Sequence, residues 1–515
     1  MSWYRTKRQV GFVGHITSIM DTEQCRLMDE LLNELFRSLS VAVSNLENVI
    51  QQTLSTRPSF LRLRFKTKAA WVWKKEALDG VISDLEGWQR RFDPSWFLLM
   101  KIANPLVDKE LAKARAAEPK DQEPATVAKS PLALAAGVRA VLSPTPEQIK
   151  SILLPPVAME WMTIPFANTK AGRRPGNSRW YIVDTIQVGQ AARVRDVERE
   201  VRVLAAKLAQ ADPLAFGLLN CKGAAPSGDQ VTYPRLGQQV PGLAPPPVSP
   251  RARSPSPSPR DCTHFQIILR IPQGMEKLQS LRSLLLNSDA HISLSRKVHM
   301  ARELSKAVHY VHTLAFVHKN IRPESVLCFE DPDGITSRCH AFLVGFDAFR
   351  AVDAGTLMGG DMSWARNVYL HPTRQGINPS QKYNMQHDIY SLGVCLLEIG
   401  LWESFVEYDD DNGTNGSPQT KFGESYSNFQ AWCRTQDSVV PFVVLAELLK
   451  VYLVGQAKTR LAPRMGDRYA EVVVSCLTCL DDGNDDFGGE ETARESIVGM
   501  QFVEHIMKNL DKISV

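Results

Sequence analysis

Residues 309–330 read His-Tyr-Val-His-Thr-Leu-Ala-Phe-Val-His-Lys-Asn-Ile-Arg-Pro-Glu-Ser-Val-Leu-Cys-Phe-Glu. A helical stretch beginning near 293 leads into them, a polar turn at His318–Ser325 follows, and an apolar strand begins near 326. Downstream, Ala341 to Val344 reads as another strand, and Gly345-Phe346-Asp347 comes directly after it. Pro372 stands 27 residues beyond Gly345, and Asp388-Ile-Tyr-Ser-Leu-Gly393 opens an apolar helix.

This ordered set resembles the protein kinase family, whose catalytic loop follows H-R-D-L-x-x-x-N. His318, Lys319, Asn320, Ile321 and Ser325 fall on the positions of that pattern, and Pro323 and Glu324 fit the sequence between them. Gly345-Phe346-Asp347 sits where the family has D-F-G, and Pro372 where it has A-P-E. The resemblance covers about 152–510. It implies a small β-rich lobe and a large helical lobe, with Asp388 bracing the catalytic loop from a buried central helix. Asp388 and Pro372 are therefore read as structural.

The replaced positions are the reactive ones. Phosphoryl transfer rests on positioning and charge neutralisation. The base position holds Asn320, an amide with no basic lone pair at neutral pH, and the two magnesium positions hold Ser325 and Gly345. Magnesium prefers hard, charged oxygen ligands, which neither residue offers. Asp347 is a displaced alternative two residues along. No G-x-G-x-x-G precedes a candidate third strand. Val157-Ala-Met-Glu-Trp-Met162 aligns with V-A-I-K and puts Glu160 or Met162 at the lysine, which makes them the candidate small-lobe binding positions. Glu198 or Glu200 is the candidate for the helix glutamate, a solvated helix face being the other reading.

The resemblance thus implies a pseudokinase: fold kept, catalytic positions His318, Lys319, Asn320 and Ser325 and metal position Gly345 degenerate. ATP without magnesium is the cofactor left open, no metal is expected, and the chain is expected to act through protein partners. Two alternatives stay open, an active atypical Ser/Thr kinase and a scaffold that binds no nucleotide.

Ahead of this region the pattern is helical. Met28, Leu31, Leu32, Leu35, Leu39, Val43, Leu46 and Ile50 form one face between 20 and 56, and helices also read at 66–92 and 95–102. Leu85-Glu-Gly-Trp-Gln-Arg-Arg-Phe-Asp-Pro-Ser-Trp96 resembles the end of the HeLo-type (prion-inhibition and propagation) domain of fungal incompatibility proteins. That domain precedes kinase-like domains with a Y-x-H-P segment, here Tyr369-Leu-His-Pro372, and with a small-lobe stretch like Phe216–Gly223. HeLo-type domains are similar to the executioner domain of mixed lineage kinase domain-like protein, which implies a cell-death or incompatibility effector. Where that family usually has a long apolar first helix, the start here reads Met1-Ser-Trp-Tyr-Arg-Thr-Lys-Arg and only Val10 to Ile19 is weakly apolar, so a truncated domain used for interaction is the other expectation.

The expected fold class is therefore α+β: an all-α bundle at 1–103, a linker at 104–151, and a bilobal kinase-like domain at 152–515. A Pro/Ser-rich insertion at 224–263 is expected to be disordered. Within the bundle, 57–75 holds seven Arg/Lys and no acid, interleaved with Phe60, Phe65, Trp71 and Trp73. It reads either as a patch for an anionic membrane surface or as a solvated helix start. Self-association through this domain is a further expectation. Ser249, Ser254, Ser256 and Ser258 each precede proline, a pattern suited to proline-directed phosphorylation.

Composition agrees with a folded chain. Of 515 residues 44% are hydrophobic, and the formal net charge of +4 gives no polyanion-binding signature, so no nucleic acid is expected. No apolar run reaches a membrane span or a secretory signal, which points to the cytoplasm with membrane recruitment as an addition. Nine scattered cysteines read as free thiols. Cys476-x-x-Cys479 lacks a second pair at metal spacing and reads as helical core.

Overall fold

A computed structural model of the chain describes residues 144–156, 158–188, 194–227, 264–287, 292–330, 339–351, 363–409, 419–434, 442–487 and 495–514. It divides into two compact units, 143–480, and 1–142 with 481–515. The expected helical domain at 1–103, its basic stretch 57–75, and residues 228–263 of the insertion lie outside the described residues.

The unit 143–480 opens with α1 (Pro146–Ser151). Thr145 caps it: its hydroxyl accepts the Gln148 N–H, and the Gln148 side chain accepts the Thr145 N–H. This reciprocal cap makes a helix where the sequence reads linker. Pro155 and Pro156 follow. They offer no N–H to a ladder, and the first strand, β1 (Glu160–Thr163), begins only after them.

Four more strands complete an antiparallel sheet: β2 (Lys170–Arg173), β3 (Tyr181–Gln187), β4 (Cys221–Ser227) and β5 (His264–Arg270), in the order β1-β2-β3-β5-β4. β3 and β5 pair from Tyr181 opposite Arg270 to Gln187 opposite His264. Helix α2 (Val194–Leu208) packs against β4 and β5 and buries Val201, Leu204, Ala205 and Leu208. The stretch Phe216–Gly223 reads by its apolar pattern as a strand. Instead Asp212 caps a single turn, Pro213–Phe216, which Gly217 ends in the left-handed region at φ 65°. The strand therefore starts at Cys221, and residues 224–227, read as insertion, form its end.

After the sheet come β6 (Glu276–Ser280), α3 (Leu281–Leu286), α4 (Leu294–Thr313), β7 (Phe316–Val317), β8 (Val326–Glu330), β9 (Cys339–Leu343) and β10 (Arg350–Ala351). Then follow α5 (Met385–Leu401), β11 (Val406–Tyr408), β12 (Thr420–Phe422), α6 (Glu424–Arg434), α7 (Phe442–Gln456) and α8 (Asp467–Leu477). β6, β8 and β9 form one small sheet, β7 pairs with β10, and β11 with β12. Every residue of α5 is buried, as a central helix requires, and Asn384 caps its start reciprocally with His387. A Cβ at Gly393 would stand 2.7 Å from the Cys476 Cβ, so glycine is what lets α5 and α8 meet. Cys476 and Cys479 are buried thiols in that core.

The result is a mixed α+β unit, a β-sheet region followed by a helical region, compatible with a bilobal kinase-like fold. The Leu343 N–H donates to the Gly217 carbonyl at 3.0 Å and ties the two regions together. In the other unit, helix Glu495–Gln501 runs into a wider turn at Phe502–Met507, where His505 Nδ1 lies 2.8 Å from Asp486. Among the described residues no helix is long and apolar enough to cross a membrane.

Candidate functional site

The turn His318–Ser325 lies between β7 and β8, delivered there by α4. Its first half stands on Asp388, in the first turn of α5. The Asp388 carboxylate accepts the His318 N–H at 2.7 Å, the Lys319 N–H at 2.9 Å and the Tyr383 hydroxyl at 2.7 Å, with His312 Nε2 at 3.1 Å. Lys319 has φ 65°, a strained conformation for a side-chain-bearing residue that these bonds hold in place. Burial opposes the Asp388 charge, yet the hydrogen bond and charge of His312 keep its carboxyl below the usual range. Burial pushes the His318 imidazole down; neutral, it donates from Nε2 to the Val344 carbonyl at 3.1 Å. Pro372 opens a tight turn, and just before it the Tyr369 carbonyl accepts the Ser391 hydroxyl at 2.7 Å.

The second half of the turn carries Asn320 and Ser325. Asn320 Nδ2 donates to Asp347 Oδ1 at 2.7 Å and to the Gly345 carbonyl at 3.3 Å, and its Oδ1 accepts from Arg322 Nε at 2.8 Å. An amide so engaged is a fixed donor, not a proton acceptor. The Ser325 hydroxyl lies 2.7 Å from the Asn320 carbonyl and 2.8 Å from that of Arg322, so it serves the turn itself. Gly345 has φ 80°, and a Cβ there would stand 3.0 Å from the Ser325 Cβ. Both the backbone and the space disfavour a side chain at that position. Asp347, the displaced alternative, is held by Asn320, with Arg366 at 3.9 Å.

Opposite this turn stands a residue the sequence reading missed. Asp184, buried on β3, accepts the Gly345 N–H at 2.9 Å and the Phe346 N–H at 3.2 Å. Burial pushes its carboxyl up to about 7; the two N–H donors oppose this and Asp347 adds to it. Tyr181-Ile-Val-Asp184 lies on the third strand of the five-stranded sheet. The candidate small-lobe positions read from the sequence are Glu160 and Met162. Both lie on the outer strand β1 and are exposed, with Glu160 paired to Arg173 at 2.7 Å. Glu198 bonds Arg202 one turn along α2, and Glu200 lies on the same helix.

The β1–β2 loop, Ile164–Thr169, bears on the same turn. The Asn168 N–H donates to the Glu324 carbonyl at 3.0 Å, and Asn168 Oδ1 accepts from Arg322 Nη2 at 2.8 Å. Glu324 itself belongs to a buried network. Arg282, on α3, reaches Glu324 Oε1 at 3.1 Å, Glu398 Oε1 at 3.0 Å and the Tyr369 hydroxyl at 2.5 Å. Burial works against the Glu324 charge, but the Arg282 guanidinium holds its carboxyl down at about 2. Near the turn a cavity of about 250 Å³ is lined by Lys319, Asn320, Arg322, Arg366, Arg374 and Tyr383, among others.

No family model matches the chain. It is 29% identical over 148 residues to a Caenorhabditis elegans protein named as a ribosomal protein S6 kinase alpha-2. The match covers 27% of this chain and only 18% of that relative's length. This weak homology points to a protein-kinase-like region, in agreement with the α+β architecture.

Proposed function

We propose that the chain is a pseudokinase, a kinase-like module that works by binding protein partners and not by phosphoryl transfer. The observation that carries this reading is the state of Asn320: its amide stands at the base position, donates to Asp347 and accepts from Arg322. Gly345 and Ser325 at the metal positions, and Asp184 where the reaction calls for a lysine, support it further. Magnesium would lack two of its ligands and the triphosphate its cationic anchor, so most of the charge stabilisation on which transfer depends is missing.

On this reading the module controls the N-terminal helical domain, a cell-death or incompatibility effector drawn to anionic membrane through 57–75. The cationic cavity beside Lys319 suits an acidic segment of a partner. The test is transfer of labelled γ-phosphate from ATP with magnesium, to the chain itself and to generic acceptor proteins. No transfer above background is expected; stoichiometric incorporation abolished by Asn320→Ala would overturn the reading.

A further inference from the structure

The β1–β2 loop, Ile164–Thr169, leaves the five-stranded sheet and is anchored to the turn His318–Ser325 and to elements beyond it at several points. The Pro165 carbonyl accepts the Ser280 hydroxyl at 2.7 Å, at the start of α3. The Phe166 ring lies on the Tyr408 ring with centroids 4.7 Å apart, and the Tyr408 hydroxyl donates to Glu324 Oε1 at 2.8 Å. Asn168 bonds the Glu324 carbonyl through its N–H and Arg322 through its side chain. Ile164 and Thr169, at the two ends of the loop, are buried.

Two further features set this loop apart from a phosphate cradle. It holds no glycine, so its backbone cannot approach a phosphate closely. Phe166 takes φ 52°, a costly conformation for an aromatic residue, and keeps it with its ring against Tyr408. Arg322, the cation of the turn, is committed at both ends of its guanidinium, to Asn320 and to Asn168. An entering polyphosphate would also meet the carboxyls of Asp184 and Asp347.

We propose that Ile164–Thr169 is an internal plug: the loop closes the nucleotide cleft from within, with the β11–β12 hairpin as its strap through Tyr408, and nucleoside triphosphates do not enter. This deepens the pseudokinase reading, which holds whether or not nucleotide binds.

The experiment is hydrogen–deuterium exchange on the full chain, with and without saturating magnesium ATP, run beside the phosphate-transfer assay. In the free protein the Ala167 and Asn168 amides should exchange at least about tenfold more slowly than unstructured amides, and ATP should leave them unchanged. Phe166→Ala, or Asn168→Gly if the first variant folds poorly, should speed exchange of the loop while leaving that of α5 unchanged. Exchange of the loop at the unstructured rate in the free protein, or new protection on adding ATP, overturns the plug. ATP protection without transfer overturns the plug alone; transfer overturns the pseudokinase reading.

Discussion

The carboxylate of Asp184 on β3 accepts the backbone N–H of Gly345 at 2.9 Å. The same carboxylate oxygen accepts the Phe346 N–H at 3.2 Å, so one buried strand acid holds a turn 161 residues away in the chain.

Asp184 also gives the unit a pH dependence of definite sign. Its folded carboxyl is raised to about 7 from an ordinary value of 3.8. The native state therefore binds the proton more tightly than the unfolded chain does. That contribution is complete below about pH 4 and is lost as pH rises through 7. Asp184→Asn keeps an oxygen for the Gly345 and Phe346 N–H groups and removes the charge. Its melting temperature should match the natural protein below about pH 4 and exceed it at pH 8, with an upper bound of about 4 kcal/mol. Equal stability at all pH values would show that Asp184 ionises freely.

Restoring the base alone should fail. Asn320→Asp replaces a donor, 2.7 Å from Asp347 Oδ1, with a second carboxylate. The expected outcome is no phosphate transfer and a melting temperature that falls at neutral pH and recovers in acid, since two adjacent carboxylates share a proton. A thermal scan across pH reads this directly.

Arg282 holds Glu324 and Glu398 in the buried core. Arg282→Ala leaves both carboxylates without their cation and should cost about 3–5 kcal/mol in denaturant unfolding. Adding Glu398→Gln should recover part of that loss, because one stranded charge is removed.

The contact of α5 with α8 at Gly393 is equally specific. Gly393→Ala sets a methyl against the Cys476 Cβ, whose backbone has little room to give way. A loss of about 1–3 kcal/mol is expected, although alanine is the better helix former by about 1 kcal/mol. Adding Cys476→Gly should restore part of it.

Much of this was legible in the sequence because turn chemistry is local. His318–Ser325, Gly345 and Asp388 stand in fixed order along the chain, and the structure brings them together through short hydrogen bonds. Helix α2 and strands β3, β5, β8 and β9 likewise follow from apolar pattern. The rest depended on partners distant in sequence. Asp184 reads as an ordinary strand acid until Gly345, 161 residues away, is placed beside it. Arg282 and Glu398, 116 residues apart, give no local sign of their pairing. The prolines at 155 and 156 precede β1, which begins only at Glu160. Ile164–Thr169 shows no pattern at all; its role appears only in its contacts with Ser280, Arg322, Glu324 and Tyr408.

On the proposed reading no metal-dependent nucleotide chemistry survives at this site. The most direct measurement is the melting temperature of the purified full chain against ATP, with and without magnesium. A ligand at about 100 times its dissociation constant adds about 2.7 kcal/mol, which a thermal scan detects readily. The account predicts no shift under either condition. A shift that requires magnesium would mean that the chain assembles a metal site with nucleotide, and would contradict it.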